Sequence, residues 1–156
     1  MKHNTGGFTL IEILLVVAAI AILAGIVILA INPAKQLGDT RNAQRQSDTT
    51  TILNALWQYS LDHNGNFPAN VDSIPETAQM LGTAGSCDSG CTATSTVASC
   101  VDLSSYLEPT YLVGIPYDPT TGTSSKTYYY LNRYNNGRLA VGACTPENGV
   151  TIIKTR

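Results

Sequence analysis

Hydrophobic residues are concentrated near the N-terminus, in a run over residues 13–31 that has no charged or hydrogen-bonding side chain. At about 1.5 Å per residue, a helix of this run crosses most of a bilayer. No polar face opposes its apolar residues, so the helix must be surrounded by lipid or by other apolar helices. The pattern predicts a membrane-spanning or assembly-core helix over residues 8–31.

Asn32-Pro33 directly follows the apolar run and predicts a kink or a melted turn. Proline lacks a backbone donor and disfavours helix in the residue before it. We expect the helix to continue beyond this point, as an amphipathic segment over residues 32–65. Apolar residues around Trp57 recur on one face at helical spacing, and Gly65 is suited to a left-handed C-cap.

The remaining residues, 66–156, are polar and predict a small globular head. An irregular connector comes first, from Phe67 to about Ser99, in which Ile74, Met80 and Leu81 are expected to contact the core on a short helix. Strand-forming residues then predict three antiparallel strands, over residues 126–133, 138–144 and 150–154. Asn135-Asn136-Gly137 predicts the first hairpin turn. The residues expected to cover the apolar face of the sheet are Leu53, Leu56, Trp57, Leu103, Tyr106, Leu107, Tyr111, Leu112 and Ile115. The predicted fold is α+β, with a long N-terminal helix packed on a three-stranded antiparallel sheet.

The residues at the start of the apolar run form a second pattern. The pair Gly6-Gly7 precedes Phe8, whereas a secretory signal peptide carries its small residues after the apolar run. A cut after Gly7 removes residues 1–7 and leaves the apolar helix as the new N-terminus. Glu12 then lies in the first turn, where the helix dipole favours an anion by roughly 0.3–1 kcal/mol. A carboxylate near a membrane segment is costly, so Glu12 is expected to have a purpose.

Gly-Phe-Thr-Leu-Ile-Glu at residues 7–12, followed by the apolar run, resembles the processing site of type IV pilins and type II secretion pseudopilins. The resemblance implies that a prepilin peptidase cuts between Gly7 and Phe8 and that Phe8 becomes N-methylated. It also implies that Glu12 pairs with the Phe8 amine of a neighbouring subunit in a helical filament, a homo-oligomer built by pilus or secretion machinery. We expect a type IV pilus subunit. The alternatives are a pseudopilin and a single-pass membrane-anchored binding module.

Charge and histidine content narrow the functional classes. The formal net charge of -2 does not indicate a nucleic-acid partner. After the cut His63 is the one histidine left, and no phosphate-binding loop is present, so we predict no enzyme and no cofactor. Lys2 precedes the apolar run, which places the leader in the cytoplasm and the head outside the cytoplasmic membrane. After assembly the subunit is expected in an extracellular or periplasmic filament.

Four cysteines, Cys87, Cys91, Cys100 and Cys144, lie in the region placed outside the membrane, where disulfides persist. They permit two disulfides in three connectivities. We favour Cys87 with Cys91 and Cys100 with Cys144. Their spacing is poor for a zinc site.

Asp118 is a weak calcium candidate. It lies in Pro116-Tyr117-Asp118-Pro119, which resembles a turn of major pseudopilins whose neighbouring loop can bind calcium. Calcium takes six to eight oxygen ligands, and nearby carboxylates are scarce, so a rigid turn explains the prolines without a metal. Arg41 and Arg45 fall one turn apart on the predicted helix. They are expected either on a solvated face or in bridges to acidic residues of neighbouring subunits.

Overall fold

The computed structural model describes residues 7–71, residue 74 and residues 77–156. Residues 1–6, which include Lys2 and Gly6 of the predicted leader, lie outside the described residues, as does Pro75 of the connector. The chain forms two compact units, Met1–Leu37 and Gly38–Arg156.

The first unit contains helix α1, Leu10–Ile31, which is long and apolar enough to cross a membrane. No residue of this helix is buried within the chain. Asn32 ends it in the left-handed conformation, with φ 48° and ψ 79°. Helix α2, Pro33–Asp62, begins at the next residue. The expected break is therefore present, but the expectation that the helix continues through it was wrong: one left-handed residue separates two helices. Asparagine tolerates this conformation, and proline suits the first position of a helix.

In the second unit, α2 buries one face whose character changes along its length. The buried residues are Gly38, Asn42, Arg45, Thr49, Ile52, Leu53, Ala55, Leu56 and Ser60. The face is mostly polar up to Thr49, apolar from Ile52 to Leu56, and polar again at Ser60. The helix ends as predicted: Gly65 has φ 86°, and its N–H donates to the carbonyl of Ser60 at 2.8 Å.

Within the described residues the sheet has four antiparallel strands in the order β1-β2-β3-β4. They are β1 Ala78–Met80, β2 Tyr129–Arg133, β3 Leu139–Ala143 and β4 Ile153–Thr155. The three C-terminal strands and the hairpin turn, where Gly137 has φ 80°, were predicted. The count of three was wrong, because β1 pairs with β2 where a short helix was expected around Met80. Pairing with a distant strand outweighs the weak local preferences of so short a segment.

Both faces of the sheet are covered. The main core lies between the sheet and α2, with the short helix α3, Ser104–Leu107. Of the nine residues predicted to cover the sheet, five are buried in this core and the other four are partly buried and pack against it. The connector covers the opposite face, where Met80, Tyr130 and the cysteines form a second cluster. Tyr130 lies across Gly142, where a Cβ would come within 2.3 Å of its ring. Ile74, expected in the core, is 60% exposed.

The disulfides join Cys87 to Cys100 and Cys91 to Cys144. The favoured pairing of Cys87 with Cys91 and Cys100 with Cys144 was therefore wrong. Backbone hydrogen bonds explain the difference, since the N–H groups of Thr92 and Ala93 both donate to the carbonyl of Cys144, at 3.1 and 3.0 Å. These bonds place Cys91 beside Cys144, so the second disulfide ties the connector to the end of β3.

The pairing predicts unequal contributions to stability. The Cys91 disulfide closes a sequence separation of 53 residues and the Cys87 disulfide one of 13. In the chain-entropy relation these closures are worth about 4 and about 3 kcal/mol. Urea unfolding of the full-length chain in detergent measures the free energy of unfolding. The double variant Cys91→Ser with Cys144→Ser should lose more of it than the double variant Cys87→Ser with Cys100→Ser. The reverse order would contradict this ranking.

Candidate functional site

The predicted scissile pair lies in exposed backbone outside any helix. Gly7, Phe8 and Thr9 precede α1, which begins at Leu10. The Phe8 side chain is 86% exposed, and a Cβ at Gly7 would meet no atom within 4 Å. Nothing in the described residues therefore blocks access to the peptide bond between Gly7 and Phe8.

Glu12 is held by Thr9 in a reciprocal capping box at the start of α1. The Thr9 hydroxyl oxygen accepts from the Glu12 N–H at 3.3 Å. In return, Oε2 of Glu12 accepts from the Thr9 N–H and hydroxyl, each at 2.9 Å. The carboxylate predicted to await a neighbouring amine therefore already has two donors in its own first turn.

Thr9 was not singled out from the sequence, although the signal was present. Threonine followed three residues later by glutamate, just before an apolar run, is the sequence form of a capping box.

A buried guanidinium organises the head. Arg45 has no exposed side-chain surface, and its Nε and Nη2 donate to the two oxygens of Asp118 at 2.6 and 3.1 Å. Its Nη1 donates to Glu147 at 2.8 Å and to Asn42 Oδ1 at 3.0 Å, and Nη2 also donates to Thr120 Oγ1 at 3.0 Å. Each of the five N–H groups thus has an acceptor.

The loop around Glu147 is fastened to α2 by further polar contacts. Arg41 Nε donates to Glu147 Oε2 at 2.7 Å. The side chain of Asn42 exchanges two bonds with the Glu147 backbone: Nδ2 donates to the carbonyl at 2.8 Å, and Oδ1 accepts from the N–H at 3.0 Å. Both arginines therefore bind acidic groups of their own head, and the expected solvated face is wrong for the buried Arg45. The spacing of Asn42, Arg45 and Thr49 on one helical face was the available signal.

These contacts lower the pKa values of the Asp118 and Glu147 carboxyls. Burial alone would raise the pKa of Asp118, but hydrogen bonds from Arg45 and Thr120 outweigh it and lower the pKa to about 2. Hydrogen bonds from Arg41 and then Arg45 lower the pKa of Glu147 to about 2. Both groups therefore remain charged at neutral pH.

Asp118 has no oxygen left unengaged for a metal ion. Oδ2 binds Arg45, and Oδ1 accepts from Arg45 and from the N–H of Thr120 at 2.9 Å. Within the part of the chain that the structure describes, no group of three or more His, Cys, Asp or Glu side chains is placed to hold a metal ion. Asp118, the calcium candidate, thus binds the Arg45 guanidinium in place of a calcium ion and anchors its loop to α2.

Comparison with protein-family models finds the prokaryotic N-terminal methylation motif over residues 2–28. The chain therefore carries the type IV pilin-like prepilin signal, and the resemblance noted in the sequence is confirmed over this segment. The motif supports a type IV pilin-like or pseudopilin-like precursor. No curated protein and no solved structure matches the chain significantly.

Replacing Arg45 with methionine is expected to destabilise the head strongly. The substitution keeps much of the side-chain volume but leaves Asp118 buried without its cation, which typically costs about 3–5 kcal/mol. Arg41→Met is the matched control, since the Arg41 side chain is 33% exposed and exposed pairs contribute about 1 kcal/mol or less. Urea unfolding of the full-length chain in detergent measures both. Equal losses would contradict the central role of Arg45.

The low pKa values predict a specific acid sensitivity. A carboxyl whose pKa is about 2 when folded, against 3.8 for Asp118 otherwise, stabilises the head fully above about pH 4. That contribution is lost as the pH falls toward 2. The Tm of the wild-type head should therefore drop between pH 4 and pH 2, and that of Asp118→Asn, already lower at neutral pH, should drop less. Parallel Tm curves in a pH series would refute this assignment.

Proposed function

We propose that this chain, which carries the type IV pilin-like prepilin signal at residues 2–28, is a structural subunit of a type IV pilus-like filament. A prepilin peptidase cuts between Gly7 and Phe8, and Phe8 is N-methylated. The mature subunit waits in the cytoplasmic membrane until the assembly machinery packs its α1 helix among those of other copies. The observation that carries the proposal is α1 itself: a helix of 22 residues that is apolar except for Glu12, exposed throughout and preceded by an accessible Gly-Phe bond.

The apolar surface of α1 explains how one helix serves two environments. Its side chains remain largely exposed, for example Leu10 at 81% and Leu29 at 85%, so another apolar phase must cover them. Lipid tails and neighbouring apolar helices are about equally apolar, so the move between them gives little hydrophobic gain. Close packing and polar contacts must therefore direct assembly.

Glu12 is the one ionisable group on α1 and is therefore proposed to set the register between subunits. In the low-dielectric centre of a filament, a carboxylate and an ammonium attract more strongly than in water. The cut at Gly7 creates such an ammonium on Phe8. Each new subunit would then be placed where its amine meets the Glu12 of an adjacent copy.

The head supports placement on the oxidising side of the membrane. All four of its cysteines form disulfides, which persist outside the cytoplasm. The cysteine-bearing connector forms an outer layer on the sheet, where it is available for contacts on a filament surface.

A surface pilus subunit is favoured over a secretion pseudopilin. The feature that favoured a pseudopilin was the Asp118-Pro119 turn with its calcium candidate. Arg45 and Thr120 occupy the Asp118 oxygens, so this feature no longer argues for a calcium-binding head. An unprocessed leader would favour the membrane-anchored binding module, so finding the N-terminus at Phe8 would argue against it.

Replacing Glu12 with glutamine tests the assembly step apart from processing. Glutamine also completes a capping box, so the variant should be cut and remain in the membrane, but it lacks the charge that pairs with an amine. We expect at least about a tenfold loss of sheared filaments, equivalent to about 1.4 kcal/mol per assembly step. Glu12→Ala should lose filaments similarly. Electron microscopy and quantitation of sheared material measure the yield.

A head carboxylate provides the control. Asp88→Asn removes one negative charge from the connector, where the Asp88 side chain accepts a local bond from Ser86. It should assemble normally. Normal filaments from Glu12→Gln would refute the register claim, and a wild-type chain that keeps its leader would refute the proposed function as a whole.

A further inference from the structure

We propose that Thr9 is a positioning residue for the processing reaction. Its capping box starts the helix at Leu10 and thereby keeps the Gly7-Phe8 peptide bond outside the helix, in backbone that a peptidase can bind. This inference rests on the proposed function, because it concerns the same cut.

The helix start is sharply defined at Thr9. Its backbone is extended, with φ -80° and ψ 151°, and its carbonyl accepts the first helical bond, from the Ile13 N–H at 3.4 Å. No described residue donates a hydrogen bond to the carbonyl of Gly7. The carbonyl that must be attacked is therefore outside the helical ladder.

Hydrolysis requires this carbonyl to be accessible. Water must add to the carbonyl carbon of Gly7 while donors of the peptidase stabilise the developing oxyanion, and the proton ends on the Phe8 nitrogen as the C–N bond breaks. In a helix the same oxygen would bind the N–H four residues later, which is that of Ile11. Extended segments can instead pair with a partner through main-chain hydrogen bonds.

Without the Thr9 cap, the helix has a clear route toward the scissile bond. Large apolar residues such as Phe8 are poor N-caps, whereas Gly7 is an acceptable one. A helix capped by Gly7 would begin at Phe8, and the Gly7 carbonyl would accept the first helical bond. Thr9 thus prevents the scissile carbonyl from joining the helix.

Three substitutions at Thr9 separate the cap from the shape of the side chain. Thr9→Val keeps the shape and removes the oxygen, Thr9→Ser keeps the hydroxyl, and Thr9→Asn keeps a strong cap with a different shape. The full-length precursor, in membranes, is mixed with a prepilin peptidase, and cleavage is followed by mass spectrometry. Gly7→Leu serves as the uncut reference.

Thr9→Val should be cut about fivefold more slowly than wild type, the factor that corresponds to losing a cap worth about 1 kcal/mol. Thr9→Ser and Thr9→Asn should stay within about twofold of wild type. Equal rates for Thr9→Val and wild type would overturn the proposal. So would a Thr9→Asn variant as slow as Thr9→Val, because the peptidase would then read the threonine itself.

Amide hydrogen exchange of the uncut chains in detergent gives a second readout. In Thr9→Val the Ile11 amide should become protected, because it would bind the Gly7 carbonyl, whereas in wild type, Thr9→Ser and Thr9→Asn it should exchange freely. Unchanged exchange in Thr9→Val would overturn the proposed helix shift. A wild-type chain that is not cut at all would instead count against the proposed function.

Discussion

The structure depends on one constraint: helix α1 is apolar except for a single carboxylate, Glu12, in its first turn. Glu12 must be satisfied whenever α1 leaves water, and Thr9 does this within the chain through two donors to Oε2. Those neutral donors stabilise the charge without cancelling it. A cut at Gly7 would add the missing positive charge, and with it a reason for subunits to adopt one register.

The head is stabilised by a separate ion cluster. Arg45 binds Asp118 on one loop and Glu147 on another, and so fastens both loops to α2 through fully engaged hydrogen bonds. A buried ion pair of this kind adds less stability than its short distances imply, but it is costly to break. Its contribution is therefore specificity in placing the loops, which an apolar side chain at residue 45 would not provide.

The predictable parts of the molecule are those encoded locally. The apolar run determines α1, Gly65 ends α2, and Asn136-Gly137 turns the hairpin, each through the conformational preferences of adjacent residues. The disulfide pairing, β1 and the partners of Arg45 depend on contacts between distant segments. Proximity in sequence was a misleading guide to Cys91, since backbone bonds to Cys144 decide its partner. The capping box at Thr9 is local and was nonetheless missed.

The most direct test of the central claim is the distance between Glu12 and a neighbouring amine in the assembled filament. A cryo-electron microscopy map of sheared fibres that resolves side chains in the filament core would provide it. The Glu12 carboxylate is expected within about 4 Å of the Phe8 amine of an adjacent copy. A filament in which Glu12 contacts only its own Thr9, with no amine within reach, would contradict the claim.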